Sequence, residues 1–212
     1  MIKMTNQIFL SYRRTDSQLV CDRLYGSLTE VFGAGQVFRD ISTIAGGRDF
    51  RLAIEQALVG AKVVLVLIGP HWLTATDAQG RRRLDDPSDP VRQELELALR
   101  KHLILLPLLV QQATMPRESE LPPSLGSLAF RNARVVRPDP DYLRDLQAVL
   151  HDLATYLPAP ARTRPLRSAV RLSRKTVGSA LSLLTLVLTV LSLATWINIP
   201  LLSDLVRRLL GH

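Results

Sequence analysis

The sequence predicts an α/β domain with a five-stranded parallel sheet, followed by one membrane-spanning helix. Short apolar runs alternate with helix-like patterns as far as residue 157, and this alternation is typical of a parallel sheet covered by helices. The run Val63–Ile68 is apolar throughout, as expected for a strand that is buried on both faces. Residues 177–199 carry no charged side chain, which is typical of a transmembrane helix.

Five short segments form the predicted strands. Each contains apolar side chains and lies between segments that are polar or contain glycine or proline. In chain order they are Gln7–Leu10, Gln36–Phe38, Val63–Ile68, Leu103–Leu109 and Arg134–Val136.

Four segments between and after these strands are predicted helices. The first has Asp16 as its N-cap and ends at Gly33-Ala34-Gly35, and apolar side chains recur at helical spacing between them. These apolar side chains are Val20, Leu24, Leu28 and Phe32. The other three helices are predicted over Asp49–Leu58, Asp89–Lys101 and Asp141–Tyr156.

The distribution of charge argues against a nucleic-acid partner. The chain has a net charge of +8, but residues 159–176 alone contribute +6 and residues 177–212 contribute +1. Residues 1–158 therefore have a net charge of only +1. A nucleic-acid-binding domain is expected to carry its basic patch on the folded part, whereas basic residues beside an apolar helix are typical of a membrane surface.

The composition divides the chain into four parts. Residues 1–157 form the predicted globular domain, and residues 158–176 form a basic linker rich in proline and arginine. As a helix, residues 177–199 would span about 35 Å, enough to cross a hydrocarbon core of about 30 Å; a buried core helix is the alternative. Residues 200–212 form a short amphipathic tail. Because the basic residues precede the apolar segment, we expect a single-pass protein of the cell inner membrane whose N-terminal domain is cytoplasmic.

Several common site motifs are absent from the sequence. No GxGxxG follows the first strand and no GxxxxGKS or GxxxxGKT occurs, so the usual nucleotide-binding fingerprints are missing. The single cysteine, Cys21, excludes an internal disulfide and fits a reducing compartment. No metal site is predicted, because the histidines lack the spacing of metal ligands. They are His71, His102, His151 and His212.

Four segments resemble the motifs of Toll/interleukin-1 receptor (TIR) domains in their bacterial form. Ile8–Arg14 resembles the opening box of the family, and Phe38–Asp40 with Ile44–Gly47 resembles the second box, whose loop governs self-association. Asp85–Leu99 resembles the segment that carries the catalytic glutamate of enzymatic members, and Pro107–Val110 also recurs in bacterial members. The resemblance covers roughly residues 5–157 and implies a flavodoxin-like TIR domain.

The similarity to TIR-family NADases implies an activity and a set of site residues. The implied reaction is cleavage of the bond between nicotinamide and ribose in NAD⁺, either hydrolytic or cyclising, with NAD⁺ as substrate and no cofactor. The position that matches the catalytic glutamate is Glu94, where a fixed carboxylate would stabilise an oxocarbenium-like ribosyl cation. The implied substrate-binding residues are Arg13, Arg14, Asp40 and Ile44. The chain departs from some active relatives at Pro90, where they carry an aromatic that stacks on the substrate, and Trp72 of the preceding loop is the candidate that would supply this face instead.

These assignments have structural alternatives. Glu94 is also a first-turn glutamate of the kind that the helix macrodipole favours, and Arg13 and Arg14 would equally suit a solvated loop. Trp72 is as well suited to core packing as to stacking on a substrate. Glu96 lies about 200° from Glu94 around the helix, so the two carboxylates cannot face one pocket.

The predicted role is a membrane-tethered effector, activated by assembly, in prokaryotic immunity. Its expected partners are NAD⁺, membrane lipid and further copies of the chain, which would associate through their TIR domains and through a stripe of hydroxyl side chains on the apolar helix. The alternatives are a non-catalytic signalling adaptor and a membrane-disrupting effector. Glu94 within its complete motif favours the enzyme. The stripe consists of Ser182, Thr185, Thr189 and Ser192.

Overall fold

Five strands and the helices that cover them form the domain, which is seen here in a computed structural model that describes residues 7–39, 54–56 and 58–157. The helices are α1 (Arg14–Phe32), α2 (Pro90–Arg100) and α3 (Tyr142–Tyr156), and residues 54–56 and 58 are also helical. The strands are β1 (Ile8–Ser11), β2 (Val37–Arg39), β3 (Val63–Ile68), β4 (Ile104–Val110) and β5 (Arg134–Val136).

The strands form one sheet in the order β2-β1-β3-β4-β5, and every neighbouring pair is parallel. This is the strand order of flavodoxin-like folds. Strand β3 is buried along its whole length, because it pairs with a strand on each side and is covered on both faces. The predicted five-stranded parallel sheet is confirmed, and the strand limits differ from the prediction by one residue at most.

Successive side chains of β3 enter two separate cores. Val64 packs in the core on the side of α2, together with Leu95 of that helix. Leu65 packs in the core on the opposite side, together with Leu24 of α1 and Leu146 of α3. The sheet is therefore the middle of three layers, and its two ends remain available for loops.

Helix α1 begins earlier than the sequence predicts. It starts at Arg14, and its backbone departs from helical geometry at Ser17. The prediction that Asp16 is the N-cap is wrong, because the Asp16 carboxylate accepts a hydrogen bond of 2.8 Å from the backbone N–H of His71 in another loop. The predicted end is confirmed: Gly33 closes the helix with φ at +94°, a region in which a side chain would be strained.

The other helices agree with the sequence where the structure describes them. Asp89 is the N-cap of α2, and Tyr156 is the last residue of α3. Of the helix predicted over Asp49–Leu58, the described residues 54–56 and 58 are helical.

Some predicted features lie outside the described residues. These are the loop residues Asp40 and Ile44, the linker 158–176, the apolar segment 177–199 and the tail 200–212. Within residues 7–39, 54–56 and 58–157, no helix has both the length and the apolar character needed to cross a membrane.

Candidate active site

The carboxyl ends of β1 and β3 form the edge at which a ligand would bind in this fold. The strand order reverses between these two strands, and open α/β sheets bind ligands at such a switch point. Strand β1 ends at Ser11, and β3 ends at Ile68 with Gly69 directly after it. The loop that begins at Gly69 leads to Asp89 and so to the start of α2.

Glu94 reaches this edge from α2. The residue is 8% exposed, and its Oε2 accepts a hydrogen bond of 2.6 Å from the hydroxyl of Ser11. Val91 and Leu95 lie on the same side of α2 and are buried in the core, so their packing turns this side of the helix toward the sheet. Ser11 and Glu94 are far apart in the sequence, so their hydrogen bond depends on the position of α2 relative to β1.

Glu96 has different surroundings, as its position on the helix predicts. Its Oε1 accepts hydrogen bonds from Arg92, at 2.8 Å, and from the hydroxyl of Ser124, at 2.6 Å. Partial burial raises the pKa of Glu96, but the hydrogen bonds from Ser124 and Arg92 outweigh burial and hold the pKa below its usual value. Of these two carboxylates on one helix, Glu94 is the one that contacts the end of β1.

Arg13 is buried immediately after β1. Its Nε donates to the backbone carbonyl of Trp72 at 3.0 Å, and its two terminal nitrogens donate to the two carboxylate oxygens of Asp89 at 3.0 and 3.1 Å. The side chains of Arg13 and Asp89 are each 1% exposed. The guanidinium therefore joins three parts of the chain: the end of β1, the loop after β3 and the start of α2.

Asp89 receives hydrogen bonds from three directions. Besides the pair from Arg13, its Oδ1 accepts from the backbone N–H of Arg92 at 3.1 Å, and its Oδ2 accepts from Nε of Arg83 at 3.0 Å. A side chain that accepts from the third residue after it is an N-cap, so Asp89 fixes where α2 begins. The sequence identified Asp89 as the start of the helix, but nothing in it identified Arg13 as the partner.

Asp16 also places a carboxylate at this edge, although the sequence did not predict it as a site residue. Asp16 Oδ1 accepts from the backbone N–H of His71, while its Oδ2 is buried and has no hydrogen-bond partner among the described residues. A Cβ atom built on Gly69 would lie only 2.3 Å from that Oδ2. Glycine at position 69 thus lets Asp16 connect the first turn of α1 to the loop after β3. Nothing in the sequence around Asp16 and Ser17 predicts this contact.

The structure brings together some of the predicted site residues and separates others. Glu94 and Arg13 both contact the junction between β1 and α2, whereas Arg14 is exposed on the first turn of α1. Trp72 is 0% exposed and packs in the core on the side of α2, which agrees with the packing alternative. Its Nε1 has no hydrogen-bond partner within the described part of the chain. Asp40 lies outside the described residues, as does Ile44.

The donor set at this edge is suited to binding through hydrogen bonds and charge. Among the described residues, no three histidine, cysteine, aspartate or glutamate side chains are grouped so that they could hold a metal ion. Glu94 offers a carboxylate at the switch point, and Ser11 holds one of its oxygens in place. Such a fixed negative charge can stabilise positive charge that develops on a bound molecule.

Comparison with known proteins identifies the family. A family model described as the TIR domain matches residues 8–147. The chain belongs to the TIR-domain family. Among solved structures, a similar fold occurs in the TIR domains of the activated Roq1 resistosome directly recognizing the pathogen effector XopQ, with 15% identity and a TM-score of 0.52. That match covers 70% of this chain and 99% of the other. No curated protein matches the chain in sequence.

In this TIR domain, the first box and the segment that begins α2 meet at one place. Ser11 and Arg13 belong to the first box, and each contacts a carboxylate of the other segment. These carboxylates are Glu94 and Asp89, which lie five positions apart on the start of α2. Two motifs that are far apart in the sequence are therefore parts of one structural unit.

Proposed function

We propose that this TIR domain cleaves NAD⁺ at the bond between nicotinamide and ribose, with Glu94 as the catalytic residue. The observation that carries the proposal is a buried carboxylate at the switch point of the sheet, which Ser11 holds by a hydrogen bond of 2.6 Å. The motif around Glu94 supports the same assignment, because it resembles the segment that carries the catalytic glutamate of enzymatic TIR domains.

The proposed reaction needs a group that stabilises positive charge while a neutral leaving group departs. When the bond between C1′ and the nicotinamide nitrogen breaks, its electron pair leaves with nicotinamide and the ribose becomes an oxocarbenium-like cation. A carboxylate beside the ribose stabilises that cation, and it does so most strongly where water is partly excluded. Water then adds to C1′ and loses a proton, or a nitrogen of the adenine adds and a cyclic product forms. NAD⁺ is the substrate, and no cofactor is required.

The decisive experiment compares two glutamates of α2 in the full-length protein, assayed in detergent or liposomes at high protein concentration. Glu94→Gln removes the charge but keeps an oxygen that can accept from Ser11. We expect nicotinamide release to fall by at least about 100-fold, while the free energy of unfolding changes by no more than about 1 kcal/mol.

Glu96→Gln is the matched control, because it makes the same chemical change on the same helix away from the end of β1. Its turnover should remain near that of the unaltered protein. Equal turnover in the Glu94 and Glu96 variants would refute the catalytic assignment and would favour a TIR adaptor that acts by assembly alone.

The proposal includes a membrane tether in the cell inner membrane with the TIR domain on the cytoplasmic side. The charge-free segment 177–199 and the six basic residues within 159–176 support this orientation. Protease added outside intact cells should then leave residues 1–158 undigested. Digestion of the domain under these conditions would mean that the orientation is reversed.

The proposal also includes activation by self-association, in keeping with an effector of prokaryotic immunity. One solved structure with a similar fold is that of TIR domains in a resistosome, and confinement to a membrane would raise the local concentration of this domain. Leucine at all four hydroxyl positions of the stripe should weaken cross-linking and NAD⁺ cleavage together. If neither changes, the apolar segment serves only as an anchor. The positions are Ser182, Thr185, Thr189 and Ser192.

A further inference from the structure

We propose that Arg13 is a positioning residue: it holds the start of α2, and with it Glu94, against the end of β1, and it does not itself bind the substrate. This inference rests on the proposed NAD⁺ cleavage at Glu94. It assigns to an arginine of the first box a role that differs from the substrate contact implied by the family resemblance.

The burial of Arg13 is the first argument. Its side chain is 1% exposed, and all three of its nitrogen atoms donate to protein oxygens. Because the side chain is buried, a phosphate group could reach the guanidinium only if the surrounding groups, which include Asp89 and the carbonyl of Trp72, moved away. Disrupting a buried ion pair of this kind is strongly destabilising. Arg13 is therefore poorly placed to exchange its protein partners for a ligand.

The second argument is the identity of its partner. Asp89 is the N-cap of α2, and it fixes the first turn by accepting from the backbone N–H of Arg92. Glu94 lies five residues after Asp89, which is about one and a half turns along the helix. A shift at the start of α2 is therefore transmitted almost directly to the carboxylate of Glu94.

The third argument is that one short segment holds α2 at two points. Ser11 contacts Glu94, and Arg13, two residues later, contacts Asp89. These two contacts together fix both the height of α2 above the sheet and its rotation about its own axis. The contact between Ser11 and Glu94 measures 2.6 Å, and such a hydrogen bond weakens steeply when its geometry is disturbed. Without the second contact, the first would not hold its geometry.

The shape of the guanidinium explains why arginine suits this position. Its planar fork donates two parallel hydrogen bonds to the two oxygens of Asp89, and its Nε remains available for the carbonyl of Trp72. A lysine ammonium carries the same charge but cannot reproduce the fork. Arg13→Lys should therefore retain part of the function, whereas Arg13→Met should lose it.

The kinetic test uses Arg13→Met, Asp89→Asn and the double variant in the full-length protein. A positioning role predicts that each single change lowers kcat by about 100-fold, the effect of a misplacement of about 1 Å, with KM changed by less than about threefold. The kcat of the double variant should be no lower than that of the less active single variant, because both changes break the same contact. A rise in KM for the Arg13 variant with no loss in the Asp89 variant would instead mean that Arg13 binds substrate, and would overturn the proposal.

Arg137→Met provides a matched control. Arg137 also makes a two-pronged contact with an aspartate, Asp145, at the start of a helix, with distances of 2.8 and 2.6 Å. It lies at α3 rather than α2, so its loss should leave kcat unchanged. A comparable fall in kcat would mean that any lost ion pair impairs the enzyme, and positioning by Arg13 would then be refuted.

A measurement that does not depend on activity separates this inference from the proposed function. Amide hydrogen exchange at Arg92, Gln93 and Glu94 should accelerate in Arg13→Met, to a smaller degree in Arg13→Lys, and not in Arg137→Met. If the protein proves unable to cleave NAD⁺, faster exchange would still support the contact of Arg13 with α2. Unchanged exchange in both Arg13 variants would overturn it. Should Arg13→Met fail to fold, the exchange and kcat of Arg13→Lys decide the question in the same direction.

Discussion

Two Arg–Asp pairs attach helices to the ends of strands in this domain, and their surroundings differ greatly. Arg13 and Asp89 join the end of β1 to the start of α2, and both side chains are 1% exposed. Arg137 and Asp145 join the end of β5 to the first turn of α3, where the arginine side chain is 46% exposed and the aspartate 7%. In each pair the two arginine nitrogens contact the two oxygens of the aspartate.

The difference separates a contact that fixes a position from one that only adds stability. At α3 the arginine can exchange its partner for water, so the pair is screened and contributes modestly. At α2 both side chains are buried, so the loss of either partner leaves the other as an unpaired charge out of contact with solvent. The domain thus contains the same type of Arg–Asp pair in two places, and the buried pair is the one near Glu94. Three experiments would sharpen or break this comparison.

The largest effect is expected from Asp89→Ala compared with Asp145→Ala. Removing Asp89 leaves the buried guanidinium of Arg13 without a counter-charge, which should cost about 3–5 kcal/mol of unfolding free energy. Removing Asp145 leaves an arginine that water can solvate, and should cost about 1–2 kcal/mol. Denaturant titration of both variants measures the difference. Equal losses would mean that burial does not distinguish the two pairs.

An intermediate effect is expected from crowding at the same edge. Gly69→Ala would place a Cβ 2.3 Å from Asp16 Oδ2, so the carboxylate must move and its bond to His71 is lost. We expect a cost of about 1–3 kcal/mol. Gly126→Ala is the control, because its Cβ would meet Glu118 at an ordinary 3.5 Å, and thermal melts should show little change. A tolerated Ala at position 69 would show that this edge is less tightly packed than proposed.

The smallest effect concerns the pH dependence of the pair between Arg137 and Asp145. The hydrogen bond from Arg137 lowers the pKa of Asp145 below its usual value. Stability from this aspartate is therefore fully present above the unfolded pKa of about 3.9 and is lost as the pH falls through the lower folded value. The stability difference between the unaltered protein and Asp145→Asn should shrink as unfolding is measured from pH 6 down to pH 3. A difference that does not shrink between pH 6 and pH 3 would contradict the pairing.

The sequence predicted the sheet well, because a buried strand is recognised from the apolar residues within its own short segment. Val63–Ile68 is apolar at every position, and β3 is the buried central strand. The site was predicted less completely, since its contacts join residues far apart. No local pattern reveals that Arg13 would contact Asp89, 76 positions later, or that Asp16 would contact His71 rather than cap its own helix. Trp72 illustrates the same limit, because a lone tryptophan suits either a core or a ligand, and the structure buries it.

In the all-parallel sheet, the edge that holds Glu94 lies opposite the edge at which α3 ends. Glu94 contacts the carboxyl end of β1, whereas Tyr156, the last residue of α3, borders a cavity with Ile104, the first residue of β4. These two ends of the sheet are about 20 Å apart, the length of a seven-residue strand. Leu157, the next residue, is still buried in the core beside α3, so a gene fusion placed after Leu157 would leave both the core and the edge that holds Glu94 unchanged.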